Sequence, residues 1–169
     1  MALTFKRILC PVDLSDFSLE GLRLAAEMAK GCKASLYLLH VIDNPFDELY
    51  MSSITQTDPA LVDVYKHEPL KRSEVLKATI RHSKIMLQRF SHGWTATVPK
   101  VRYIIDNGNP FEVILDVAEA RRIDLIILAT HGRTGIKRLL IGNVAEKVVR
   151  HAPCPVLTLK GWRRRRNRK

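Results

Sequence analysis

The stretch from Ala129 to Asn143 reads ATHGRTGIKRLLIGN and follows directly on the apolar run DLIIL. Its glycines, Gly132, Gly135 and Gly142, let a backbone come close to an anion, and Arg133, Lys137 and Arg138 add positive charge. A helix opening at Asn143 contributes unpaired N–H groups and the positive end of its dipole. The chemistry these residues suit is phosphate binding. The same glycines also suit a plain surface turn, with Gly142 and Asn143 no more than a helix start, and as isolated features they favour that second reading.

Other chemistry has less behind it. The chain carries no GxxxxGK[ST] loop, no GxGxxG after its first strand, no HExxH and no GxSxG. Its six histidines, at 40, 67, 82, 92, 131 and 151, share no ligand spacing, which predicts no transition-metal site. His40 reads as a satisfied strand-end histidine, and His131 has no Ser or Cys nucleophile arranged beside it. No residue is placed to activate water, so no catalytic residue is assigned and any ATP hydrolysis would be slow.

The elements that must position this loop fit one domain. The chain has 169 residues, of which 46% are hydrophobic, enough for a single full core. The net charge is +11, and six of the positive charges fall in the last nine residues, GWRRRRNRK. Like charges at that density predict a disordered tail, with Arg163, Arg164, Arg165 and Arg166 as a candidate contact for nucleic acid or another anionic surface. There is no apolar run of transmembrane length, the N-terminal MALTFKRILCPVD lacks a secretory pattern, and the three cysteines have no CxxC spacing. These features predict a cytoplasmic protein in which Cys10, Cys32 and Cys154 are small buried hydrophobes.

KRILCPV (6–12) and SLYLLHVI (35–42) are short, apolar and branched, as strands buried on both faces must be. Between them Leu19, Leu22, Ala25, Ala26 and Ala29 recur at helical spacing, with Ser15 or Asp16 as the cap and Gly31 as the stop. VRYIID (101–106) and DLIILA (124–129) flank a second helix, for which Asn109 is the cap, Pro110 the first residue and Glu112 the capping-box partner. A helix starting at Asn143 and a strand PVLTLK (155–160) close the order. The segment NPFDELYMSSITQTDPA reads as a loop over the upper sheet edge. Beyond Pro69, the residues Leu76, Ile80, Ser83, Leu87 and Phe90 predict a long helix whose basic face reads as solvated. Strands alternating with helices predict an α/β fold with a mostly parallel sheet.

Taken together, ILCPVDLSDFSLEGLRLAAEMAK, LYLLHVID and the run from GNPFEVILDVAEARR through THGRTG and GNVAE to APCPVLTLK resemble the universal stress protein family. The resemblance covers nearly everything except the middle segment and the tail. It implies a flavodoxin-like, Rossmann-like open sheet of five parallel strands in the order 3-2-1-4-5 with helices on both faces, occupying residues 1–160, and a separate tail at 161–169. It also implies a homodimer, and pairing of the last strand at a sheet edge through Val156, Leu157 and Leu159 is the expected contact.

One branch of that family binds ATP or another adenine nucleotide and another lacks nucleotide. In the binding branch the loop follows G-x2-G-x9-G-S/T. Here Ala129 takes the first glycine position, Gly132 and Gly142 match, and Asn143 replaces the hydroxyl residue. If residue 129 needed a positive φ, alanine would cost about 1–2 kcal/mol, and even at negative φ its methyl could crowd a phosphate. Asn143 is a milder change, since its side-chain oxygen can cap the helix while its NH2 donates. The resemblance implies that the nucleoside lies against Pro11, Val12, Asp13 and Val41. It implies that the phosphates lie over Ala129, His131, Gly132 and Arg133 and against Gly142, Asn143 and Val144. Asp13 also reads as a simple turn former, and Val41 as a buried strand valine. Mg²⁺, if it accompanies the nucleotide, would be held mainly by phosphates and water. The functions implied are a stress-response regulator that binds adenine nucleotide, or a nucleotide-free dimeric interaction module, with anionic-partner binding through the arginine tail as a further reading.

Overall fold

The computed structural model describes residues 4–43, 72–130 and 142–160, with helix residues 72–75 described by their backbone. The expectations placed on 44–71, 131–141 and 161–169 lie outside the described residues. The element order is β1 (Arg7–Pro11), α1 (Asp16–Cys32), β2 (Ser35–Ile42), α2 (Arg72–Thr95), β3 (Lys100–Asn107), α3 (Pro110–Ala120), β4 (Leu125–Ala129), α4 (Asn143–His151) and β5 (Val156–Leu159). All four strand pairings are parallel and the sheet order is β3-β2-β1-β4-β5. This is the doubly wound, flavodoxin-like arrangement expected.

The apolar runs form strands because both faces of the sheet are covered, so successive side chains enter different cores. Ile8, Cys10, Leu36, Leu38, Leu125 and Ile127 pack with Leu22, Ala25, Ala26 and Ala29 of α1 and Leu87 of α2. The alternate residues Leu9, Tyr37, Leu39, Ile126 and Leu128 pack with Val113, Ile114 and Val117 of α3 and Ala145 and Val148 of α4. Small residues let α1 lie close to the sheet: a Cβ on Gly21 would come within 3.5 Å of the Ala129 nitrogen. Cys10 is sealed in the first core, where burial pushes its thiol up to about 12. Cys32 and Cys154 are only partly buried, at the margins of the two cores, and so depart from the expectation for all three.

Helix ends follow local chemistry. Ser15 caps α1 by accepting from the Ser18 amide, and Asn109 caps α3 by accepting from the Phe111 amide at 3.0 Å with Pro110 as the first helical residue. One boundary and one cap differ from expectation. Gly31 lies inside α1, and the left-handed residue that stops the helix is Lys33 at φ 54°. The cap of α4 is Gly142, with Asn143 the first helical residue, and no side chain caps that end.

The long second helix turns an unusually polar inner face to the protein. Thr79, Ser83, Ser91 and Thr95 are buried beside Leu87, and the hydroxyls of Ser91 and Thr95 lie 3.4 Å from the Tyr103 hydroxyl. Arg23 of α1 stacks over the Trp94 ring at 4.4 Å. Among the described residues no helix is long and apolar enough to cross a membrane.

At the lower end of the sheet, Asp124 accepts the Lys6 amide at 2.9 Å and the Arg7 amide at 3.1 Å, tying the start of β1 to the start of β4. Arg7 in turn donates to the Arg121 carbonyl at 3.1 Å. Asp124→Ala leaves both amides without this acceptor and should destabilise the fold by about 1–3 kcal/mol, read as a lower urea midpoint at constant slope.

Candidate functional site

Strand order reverses between β1 and β4, and a cleft opens there beyond the carboxyl ends of the strands, where this topology leaves room for a ligand. Its volume is about 360 Å³, within the usual range for a small-molecule site. Pro11, Val12 and Asp13 line it from the end of β1, and Val41 from the end of β2. Ala129 lines it from β4, while Gly142, Asn143 and Val144 line it from the start of α4. These eight expected site residues share one cavity. His131, Gly132 and Arg133, with Gly135, Lys137 and Arg138, lie outside the described residues.

The β1–α1 turn is held by Asp13. Its Oδ1 accepts the Ser15 amide at 3.1 Å and the Ser15 hydroxyl, a turn-forming role that occupies one carboxylate oxygen. Between them Leu14 sits at φ 62°, a conformation that costs a leucine about 1–3 kcal/mol. His40 is buried and its Nδ1 lies 2.9 Å from the Val12 carbonyl. A carbonyl only accepts, so Nδ1 carries the proton. The imidazole thereby braces β2 against the residue that precedes Asp13.

On the opposite wall Thr130 organises three elements. Its amide donates to the Leu159 carbonyl at 2.8 Å, its hydroxyl donates to the same oxygen at 3.1 Å, and its own carbonyl accepts the Gly142 amide at 2.7 Å. Gly142 is extended, at φ −68° and ψ 152°, so positive φ is not what requires glycine there. A Cβ at this position would stand 2.9 Å from the Thr130 oxygen, and that crowding is. Ala129 is likewise an ordinary strand residue, in register with Leu159, so the feared positive-φ cost of alanine does not arise.

Among the described residues three helices begin around the cleft, and α4 lines it with the residues of its first turn. The starts of α1 and α3 carry side-chain caps, whereas among the described residues no side chain caps α4, and its first residues line the cavity with Gly142. The first N–H groups of a helix have no intrahelical acceptor, so this end suits an anion. The opposite lining is apolar: Leu39, Ile114 and Leu128, with Pro110 at the start of α3, form walls suited to a flat ring. These four, with Ser18, Thr130 and Ala145, were not singled out from the sequence. Pro110 had a signal, since the start of a helix following β3 must lie at the same end of the sheet. The buried strand and helix residues had none. Among the described residues no cluster of His, Cys, Asp or Glu could hold a metal ion.

This fold and cleft define a class that the comparisons identify. The sequence profile of the universal stress protein family matches residues 4–160, and the chain belongs to that family. Universal stress protein MJ0531 of Methanocaldococcus jannaschii is 32% identical over 157 residues, covering 92% of this chain and 82% of that protein. The solved universal stress protein UspA from Lactobacillus plantarum superposes with a TM-score of 0.68 at 29% identity, covering 94% of this chain and 100% of that one. A universal stress protein solved in complex with cAMP shares the fold at a TM-score of 0.56 and 17% identity, covering 94% and 98%.

The Thr130 contact generates a prediction about stability that is separate from any ligand. Because the obstructing atom is a backbone oxygen fixed by β4, Gly142→Ala should cost about 1–3 kcal/mol. Chemical denaturation is the measurement, and an unchanged midpoint would mean that the start of α4 relaxes freely.

Proposed function

We propose that this chain, a universal stress protein domain over residues 1–160, is a cytoplasmic regulator that binds an adenine nucleotide, with ATP the first candidate, in the cleft between β1 and β4. The observation that carries the reading is the uncapped start of α4 lining the same cavity as the apolar ends of β1, β2 and β4. The base would lie against Val12 and Val41, the ribose hydroxyls toward Asp13, and the phosphates against the amides of Asn143 and Val144. The loop carrying His131, Gly132 and Arg133 belongs to the phosphate side of this reading. The likeness in fold to a protein solved with cAMP supports the ligand class. Mg²⁺ would be bound through the phosphates and water. No residue is assigned a catalytic role.

The second reading, a nucleotide-free interaction module, is favoured by one observation. Gly142 is required by the Thr130 carbonyl alone, so the glycine spacing would persist without a ligand. Calorimetry with ATP, ADP, AMP and cyclic AMP, each with and without Mg²⁺, separates the two. Saturable heat is expected for at least one, and silence from all eight titrations establishes the module. Asn143→Pro refines the test. Proline is accepted at the first helical position, and Gly142 already has the extended ψ of 152° that a residue before proline prefers. The variant keeps α4 but deletes one N–H facing the phosphates, and affinity should fall by about tenfold or more. Ala129→Gly should change affinity by less than about threefold, because residue 129 is already unstrained.

We further propose that β5 pairs with its copy across a two-fold axis. It is a short edge strand with Leu157 exposed, and Val149 of α4 is exposed near it. The Pro155 and Leu159 carbonyls face β4, so alternation turns the backbone of Val156 and Thr158 outward. Thr158→Pro therefore removes an outward N–H without breaking the internal ladder. Light scattering should give a dimer for the natural chain and a folded monomer for this variant; a natural chain that is monomeric at micromolar concentration refutes the pairing.

A further inference from the structure

Between Glu74 and Asp106 the chain runs for 31 residues without a carboxylate, and over that stretch it forms most of α2 and β3. Lys77, Arg81, Lys84, Arg89, Lys100 and Arg102 fall within it and all are exposed. We propose that this flank is a docking surface for the phosphate backbone of a nucleic acid.

Lys77, Arg81 and Lys84 are spaced i, i+4, i+7, which stacks them along one line of α2, with Gln88 continuing the line and Arg89 beside it. From Lys77 to Arg89 the helix rises about 18 Å, a length of duplex that carries about ten phosphate charges. Like charges at these spacings weaken a helix, and neither ion pair among the described residues, Arg23 with Glu20 or Arg150 with Glu146, relieves them. The inner face of α2 is already committed to the protein, so the cations contribute nothing to its packing. Lys100 and Arg102 continue the flank around the β3 edge, where Arg102 lies 5.9 Å from the Tyr37 ring on the opposite face of the sheet from α2.

The geometry selects among anionic partners. The charges are spread along about 18 Å of a helix surface, which suits a polymer and not a small anion. Among the described side chains of α2 the exposed large hydrophobics are Ile85 and Trp94, nine positions apart and so on opposite sides of the helix, while Leu87 is locked in the core. Such a helix cannot lay an apolar face into a membrane. The flank also lies across the sheet from β5, so it stays open whether or not the chain pairs through that strand.

The test compares the full-length chain with the quadruple variant Lys77→Gln, Arg81→Gln, Lys84→Gln and Arg89→Gln, by anisotropy of a labelled mixed-sequence duplex between about 50 and 200 mM salt. The natural chain should bind without sequence preference. The variant should bind at least about tenfold more weakly at low salt, with the slope of log K against log salt shallower by about 3 to 4. A second full-length variant, with Arg163, Arg164, Arg165 and Arg166 changed to Gln, should retain the contribution of α2. If the quadruple variant does not fold, Lys100→Gln with Arg102→Gln should reduce the slope by about 2. No duplex binding by the natural chain, an unaltered slope in the folded α2 variant, or capture by phosphatidylserine vesicles with no binding to the duplex overturns the proposal.

Discussion

The end of β4 is where this structure has the least freedom. Thr130 must donate to the Leu159 carbonyl and accept from Gly142 at the same time, so one residue fixes the edge strand β5 and the start of α4 together. These bonds tie β5 to β4 and set the start of α4 beside the end of β4. Gly142 is the residue that makes the double contact possible, because any side chain there collides with the carbonyl it bonds. Whatever ligand the cleft takes, this wall is built on a backbone contact that does not depend on it.

The opposite wall rests on a different device. Asp13 folds the chain back through Ser15 and holds Leu14 in a left-handed conformation, while buried His40 anchors the Val12 carbonyl from the neighbouring strand. One wall of the cleft therefore rests on main-chain contacts reinforced by the Thr130 hydroxyl, and the other on the side-chain hydrogen bonds of Asp13, Ser15 and His40. A side-chain-held wall is open to substitution of Asp13, Ser15 or His40, whereas the Thr130 wall answers to glycine at one position.

Much of this was legible in the sequence because the physics is local or strongly patterned. Strands covered on both faces must be short apolar runs, and Ser15 and Asn109 announce their helices through caps that act within three residues. The strand-end positions of the cleft came from the family resemblance, which implies the strand order that places β1 and β4 side by side. What escaped depends on contacts between segments distant in the chain. Two local details also escaped: Lys33, in the left-handed conformation, stops α1 in place of Gly31, and the cap of α4 is Gly142 in place of Asn143. The part played by Thr130 is invisible until Leu159 and Gly142 are beside it. Leu39, Ile114 and Leu128 look like any other core residues until the cavity they wall is seen.

The hydroxyl-rich inner face of α2 bears on how the molecule breathes. A helix usually gains its hold on a sheet from several large aliphatic side chains, each worth about 1.5–3 kcal/mol when fully buried. Of the large aliphatic side chains whose burial is described on α2, only Leu87 is fully buried, and the hydroxyl of Thr79, itself buried, has no hydrogen-bond partner. The amides of α2 should therefore exchange with solvent through a sub-global opening that leaves β1, β4 and α1 intact, making this helix the least cooperative unit of the fold.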